Sequence, residues 1–188
     1  MASSPANGEI DDRDKSPNSQ QQTPRTAFIS GHIDLTQTTF AQEYSARLDA
    51  AIAANDTFIV STAKGADTMA LEYLLAHNVD PSRITIYLHT PPPQKQRSRA
   101  DAAAVIETED KYCARGLRTS IVEGGHTERD AVMTRESDYD ILWVRSEEDT
   151  RALYGRKYRA GRVSGTEKNR VRRGRVVAER EKGKGQAQ

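Results

Sequence analysis

The chain has one cysteine, Cys113, in 188 residues. That excludes a disulfide framework and a thiolate metal cluster. In the setting KYCARGL, Cys113 reads as a packed or partly exposed thiol rather than a nucleophile. No apolar run approaches the roughly 20 residues that a membrane-spanning helix needs. The first 25 residues, MASSPANGEIDDRDKSPNSQQQTPR, lack the apolar core of a signal peptide and carry too many acids for a transit peptide. A cytoplasmic or nuclear location is therefore expected, with no membrane partner. Histidine is scarce, and His32, His89 and His126 do not stand at metal-ligand spacing, so neither a metal nor a cofactor is expected. Apolar residues make up 36% of the chain and charged residues 29%, which is polar for a globular protein; the excess polarity sits at the ends. What is left is one α/β domain of ordinary size, about residues 26–173, between disordered tails at 1–25 and 174–188.

Charge is near balance but unevenly placed. Residues 151–188 hold 13 Lys and Arg against 3 acids, and residues 1–150 hold 15 against 24. The basic third could meet nucleic acid, although a solvated tail beside an acidic body explains it as well.

What the chain does have is a repeated strand–turn–helix pattern. Thr26–Ser30 is a short strand running into Gly31-His32-Ile33-Asp34. Phe40, Tyr44, Leu48 and Ile52 recur every four residues, so Thr38–Ala54 is expected to be an amphipathic helix. Phe58-Ile59-Val60 is a buried strand. The small-residue loop Ser61–Asp67 follows it, and then a helix carrying Leu71, Leu74 and Leu75. Asp80-Pro81 breaks that helix, and Arg83–Leu88 is a third strand. Gln94–Arg99 is expected to be a surface loop and Ala100–Arg115 a helix. Leu117–Val122 is a fourth strand. Thr127 and Asp130 fit a capping box that opens a helix to about Ser137. Asp140–Arg145 is the last strand, Ser146–Val163 a long basic loop, and Ser164–Glu167 a second capping box opening a basic helix. Such alternation predicts an open, mostly parallel sheet of about five strands with helices on both faces, Rossmann-like in plan.

In such sheets ligands bind where strand C-termini meet helix N-termini, because free backbone N–H groups and the helix dipole favour an anion there. Four glycine turns fall at such ends. They supply the candidate phosphate-binding residues Ser30, Gly31 and His32; Lys64, Gly65, Ala66 and Asp67; Gly124, Gly125 and Arg129; and Gly165 and Thr166. The expected ligand is a phosphorylated small molecule held in one hollow that all four turns share.

The blocks ISGHIDLT (29–36), AKGADTMALEYL (63–74), GGHTERDAVMTRESDYDILWVR (124–145) and SGTEKNRVRR (164–173) resemble the SLOG superfamily, most closely its YspA/YpsA-related branch. The likeness spans about Ala27–Arg173. It implies a Rossmann-like fold that binds a nucleotide or nucleotide-derived ligand, and a tendency to assemble as a homo-oligomer. Its relatives include the LOG cytokinin phosphoribohydrolases and the nucleoside 2-deoxyribosyltransferases, which cleave N-glycosidic bonds; other branches act as ligand sensors. The LOG hallmark PGGxGTxxE is absent. Gly165-Thr166 run directly into Glu167, Lys168 stands where that motif has its glutamate, and Asn169 stands where the deoxyribosyltransferase glutamate would fall.

N-glycosidic cleavage needs a carboxylate for the oxocarbenium-like sugar, an acid for the leaving base and donors for the phosphate. Glu128, Asp130 and Glu167 are the candidate catalytic carboxylates, each in a first helical turn, where the dipole or a cap explains an acid equally well. Tyr154 and Tyr158 could stack on a base. The alternatives to an enzyme are a nucleotide or ADP-ribose-derivative sensor, and nucleic-acid binding through the basic third.

Overall fold

The computed structural model describes residues 23–91 and 99–185. Most of the expected loop Gln94–Arg99 lies outside these residues; Arg99 itself begins a helix. Five strands, β1 (Thr26–Ser30), β2 (Thr57–Ser61), β3 (Ile84–Thr90), β4 (Arg118–Glu123) and β5 (Tyr139–Leu142), form one sheet in the order β4-β3-β2-β1-β5. Every pairing is parallel. The central strands carry continuous apolar runs because both of their faces are covered. In β1 and β2 all residues after the first are buried.

The helices are α1 (Gln37–Phe40), α2 (Ala46–Ala53), α3 (Ala66–Ala76), α4 (Arg99–Cys113), α5 (His126–Glu136), α6 (Glu147–Tyr154) and α7 (Gly165–Gly185). A π-helical segment, Ala41–Ser45, joins α1 to α2, so the expected single helix is one helical run with a bulge in it. The bulge sits where Tyr44 turns its whole side chain into the core. One face of the sheet packs Ile29, Val60 and Ile86 against Tyr44, Leu48 and Leu74. The other packs Phe28, Ile59 and Tyr87 against Met133 of α5. The α/β plan with helices on both faces is thus the one the alternation predicts.

Three local readings are corrected. Helix α5 starts at His126 with Gly125 as its N-cap, not Thr127, and Glu128 accepts from the Gly125 N–H at 2.8 Å. Asp130 does not cap, because Arg129 holds its carboxylate. The long loop Ser146–Val163 contains α6, capped by Ser146 Oγ accepting from the Asp149 N–H at 3.0 Å. Helix α7 does not end near Gly174 but continues to Gly185, and Arg180 donates to the Arg135 carbonyl at the end of α5. Its Arg, Lys and Glu content is helix-forming and offsets the glycine at 174 in its interior.

Candidate functional site at the strand-order reversal

The chain builds outward from β1 through β2 and β3 to β4, then returns to place β5 on the other side of β1. The connection after β1 leaves toward α1 and the connection after β5 leaves toward α6, so a crevice opens between the C-terminal ends of β1 and β5. A cavity of about 1180 Å³ lies there. Its floor is Gly31, His32, Val144 and Arg145; its walls are the α6–α7 segment and the first turn of α7. A smaller hollow of about 310 Å³, around Arg25, Arg47 and Tyr139, sits at the opposite, N-terminal rim, away from the reversal.

The floor is held rigidly. Gly31 is there because nothing larger fits: a Cβ would stand 2.2 Å from Tyr44 Oη and 2.4 Å from Ala66 Cβ. Tyr44 Oη donates to the Ser30 carbonyl at 3.0 Å and accepts from the Trp143 N–H at 3.1 Å, so one buried phenol ties the end of β1 to the residue after β5. Burial pushes its pKa up to about 12. His32 Nε2 accepts from the Arg145 N–H at 3.1 Å, which places the proton of the neutral ring on Nδ1, and the ring meets Trp143 edge-on. Burial, and then Arg145, lower the His32 pKa. Arg145 Nη2 lies 2.7 Å from Asp34 Oδ1, and that bond holds the Asp34 carboxyl below its ordinary range.

The second turn does not reach the cavity. Gly65, at φ +76°, backs onto the first turn, where a Cβ would stand 2.2 Å from the His32 carbonyl oxygen. The Ala66 N–H donates to that same oxygen at 3.2 Å. Asp67 is buried and accepts from the Ser61 N–H at 3.1 Å and from Ser61 Oγ at 2.5 Å. Desolvation raises its pKa to about 6. It supports the turn and is not among the residues lining the cavity. Lys64 is exposed and is not among the residues lining the cavity.

The third turn is likewise set back. Arg129 is buried, with Nη2 2.8 Å from Asp130 Oδ1, and Asn169 Nδ2 reaches Asp130 Oδ2 at 3.2 Å. This chain of contacts fixes α5 to the first turns of α7, one wall of the cavity. Burial also leaves Ser30 Oγ and Arg129 Nη1 without a hydrogen-bond partner. Gly124, Gly125, Glu128, Arg129 and Asp130 are not among the lining residues. Of the four turns, the first and the fourth meet in one hollow, and the expectation of a single hollow for all four is corrected to that pair.

At the fourth, Ser164 Oγ accepts from the Glu167 N–H at 3.0 Å, and Gly165, Thr166 and Glu167 face the cavity. Glu167 is the only one of the three candidate carboxylates in its lining. Its Oε1 pairs with Arg170 at 2.7 Å, while Oε2 is buried without a partner. Tyr154 and Tyr158 also line the cavity; Tyr158 Oη donates to Glu147 Oε1 at 2.6 Å.

Residue-by-residue reading overlooked Arg145, Lys157, Arg159 and Arg162, all of which line the cavity. The strand Asp140–Arg145 was expected to run three residues past Leu142; its early end makes Trp143–Arg145 a loop over the crevice. The signal for the cations was the basic run itself, once the strand order places it beside β1. The lining holds six cationic side chains against two carboxylates, Glu147 and Glu167, and both of these already pair with arginines. The arrangement can therefore hold an anion more readily than it can move a proton. No family model, curated protein or solved structure matches this chain.

Proposed function

We propose that the cavity at the strand-order reversal binds a nucleotide or nucleotide-derived ligand through its phosphate. The observation that carries this reading is positional: the larger of the two cavities lies between the ends of β1 and β5, with the N-terminal turn of a long helix and an excess of positive charge facing into it. Open α/β sheets bind ligands at that place, and helix N-termini favour anions. The likeness of the four sequence blocks to the SLOG superfamily supports the nucleotide as the ligand class. Tyr154 and Tyr158 offer faces on which a base can stack.

Hydrolysis of the N-glycosidic bond is the further step of this reading. Of Glu128, Asp130 and Glu167, only Glu167 stands where it could face the sugar, so turnover rests on it alone. Incubation with a panel of nucleoside mono- and diphosphates, with melting temperature and free base followed together, tests both parts. A ligand-dependent rise in melting temperature with base released by the wild type but not by Glu167→Gln supports the hydrolase. The same rise with no base released supports a binding module. No rise with any nucleotide removes the reading.

A further inference from the structure

The two edges of the sheet are treated differently. At the β5 edge, Arg47 Nη1 and Nη2 donate to the carbonyls of Leu142 and Asp140 at 2.7 and 2.8 Å, and α7 packs beside the strand. That edge is closed. At the other, β4 pairs with β3 over its whole length, from Thr85↔Arg118 to Thr90↔Glu123, and no described strand lies on its far side. None of the six residues of β4 is buried. Ile121 is 42% exposed, and Ile106 on α4 is 56% exposed. Glu109 accepts from Thr119 Oγ1 at 2.9 Å, which holds this part of α4 above β4.

We propose that two copies of this chain join β4 to β4, antiparallel about a twofold axis perpendicular to the sheet, making one continuous ten-stranded sheet. An edge strand presents unpaired N–H and C=O groups that another strand satisfies, and natural edges that must stay single are blunted, as Arg47 blunts β5. Thr119, Ile121 and Val122 are β-branched and suit a paired strand. The charges at the strand ends favour the antiparallel direction, and the exposed Ile121 suits a self-complementary contact at the axis. Arg118 begins the strand and Glu123 ends it. Antiparallel self-pairing sets the Arg118 end of each copy beside the Glu123 end of the other, with the two side chains on opposite faces of the sheet; parallel pairing would set like charge on like. A perpendicular twofold keeps both α4 helices on one face, so Ile106 and Ile121 of the two copies gather at the axis. The same symmetry sets residues of equal parity opposite one another, so with the axis at Ile121 that residue lies opposite its own counterpart.

Sedimentation velocity on the full chain at micromolar concentration tests this. The expected species has twice the 20.9 kDa chain mass. Ile121→Lys should shift it to monomer, while Val177→Lys, a similarly exposed site on α7, should leave it dimeric. In a Cys113→Ala background, mild oxidation of Ile121→Cys should give a covalent dimer, since opposite strand positions fall within disulfide reach. That variant decides the matter if Ile121→Lys does not fold. A monomeric wild type, a dimer that survives Ile121→Lys, or no covalent dimer from Ile121→Cys would overturn the proposal.

Discussion

A single buried phenol does much of the positioning at the cavity floor. Tyr44 reaches Ser30 in sequence-near β1 and Trp143 ninety-nine positions away. Tyr44→Phe removes a donor and an acceptor at once, leaving a carbonyl and an N–H in the interior, and is expected to lower stability by about 1–3 kcal/mol. Urea denaturation measures it; an unchanged midpoint would mean that the two strand ends are held by something else. Asp67 gives a pH signature. Its folded-state pKa, raised by burial to about 6, lies above that of an unfolded aspartate. The native state therefore binds this proton more tightly. Stability from this group falls as pH rises from the ordinary carboxylate range through about 6, and is level above that. Asp67→Asn, which keeps an acceptor for Ser61, should flatten the fall between pH 4 and 7. Superimposable stability profiles for the two proteins would contradict the assignment. Sequence could flag Gly31 as a turn glycine, but not that Tyr44 and Ala66 close on it, because that contact is made by the π-bulged helix and the neighbouring loop.

Among the elements, α7 carries the most. Arg173 Nε donates to Asp140 Oδ1 at 2.9 Å and Nη1 to the Ser137 carbonyl at 2.9 Å, both in largely buried surroundings. Truncation as Arg173→Ala leaves Asp140 buried and unpaired, a loss of about 3–5 kcal/mol. A chemical-denaturation shift below about 1 kcal/mol, the scale of an exposed ion pair, would show that the pair is solvated. The start of α7 was legible, because Ser164 and Glu167 stand at capping-box spacing; the Ser164 half of the box forms, while the Glu167 carboxylate pairs with Arg170 instead. Its end was not, because Gly174 and the surrounding charge imitate a solvated tail. What holds the extension is Arg180 on the end of α5, a contact between residues 45 apart. The start of α5 shows the opposite failure. Two overlapping cap patterns, Thr127 with Asp130 and Gly125 with Glu128, fit the same stretch. Spacing alone cannot choose between them; the pairing of Asp130 with its neighbour Arg129 and with Asn169 of α7 decides.

On the scale of the whole molecule, the alternation of strands and helices was enough to predict a parallel sheet, because each apolar run has the length and β-branched content of a strand covered on both faces. The order of the strands was not available from that alternation, and the order is what locates the cavity. With β5 beside β1, the basic segment 157–170 comes to face His32 and Gly31; the turns at Lys64 and Gly124 are left along the same rim but outside the hollow. Charge reversal then separates the rim from the rest of the edge. Arg162 and Lys168 are exposed and line the cavity, whereas Lys64 is equally exposed and does not. Reversing two rim charges should weaken binding of an anionic ligand by about 10-fold or more, with a shallower salt dependence, since nearby exposed charges interact through screened solvent.

The most direct measurement is equilibrium binding of a nucleoside 5′-monophosphate, by calorimetric titration, to the wild type, to the double variant Arg162→Glu/Lys168→Glu and to Lys64→Glu. The account predicts binding to the wild type and to Lys64→Glu with similar affinity, and binding weaker by about 10-fold or more in the double variant. Binding that survives in the double variant and disappears in Lys64→Glu would place the ligand at the β2–α3 turn and contradict the account.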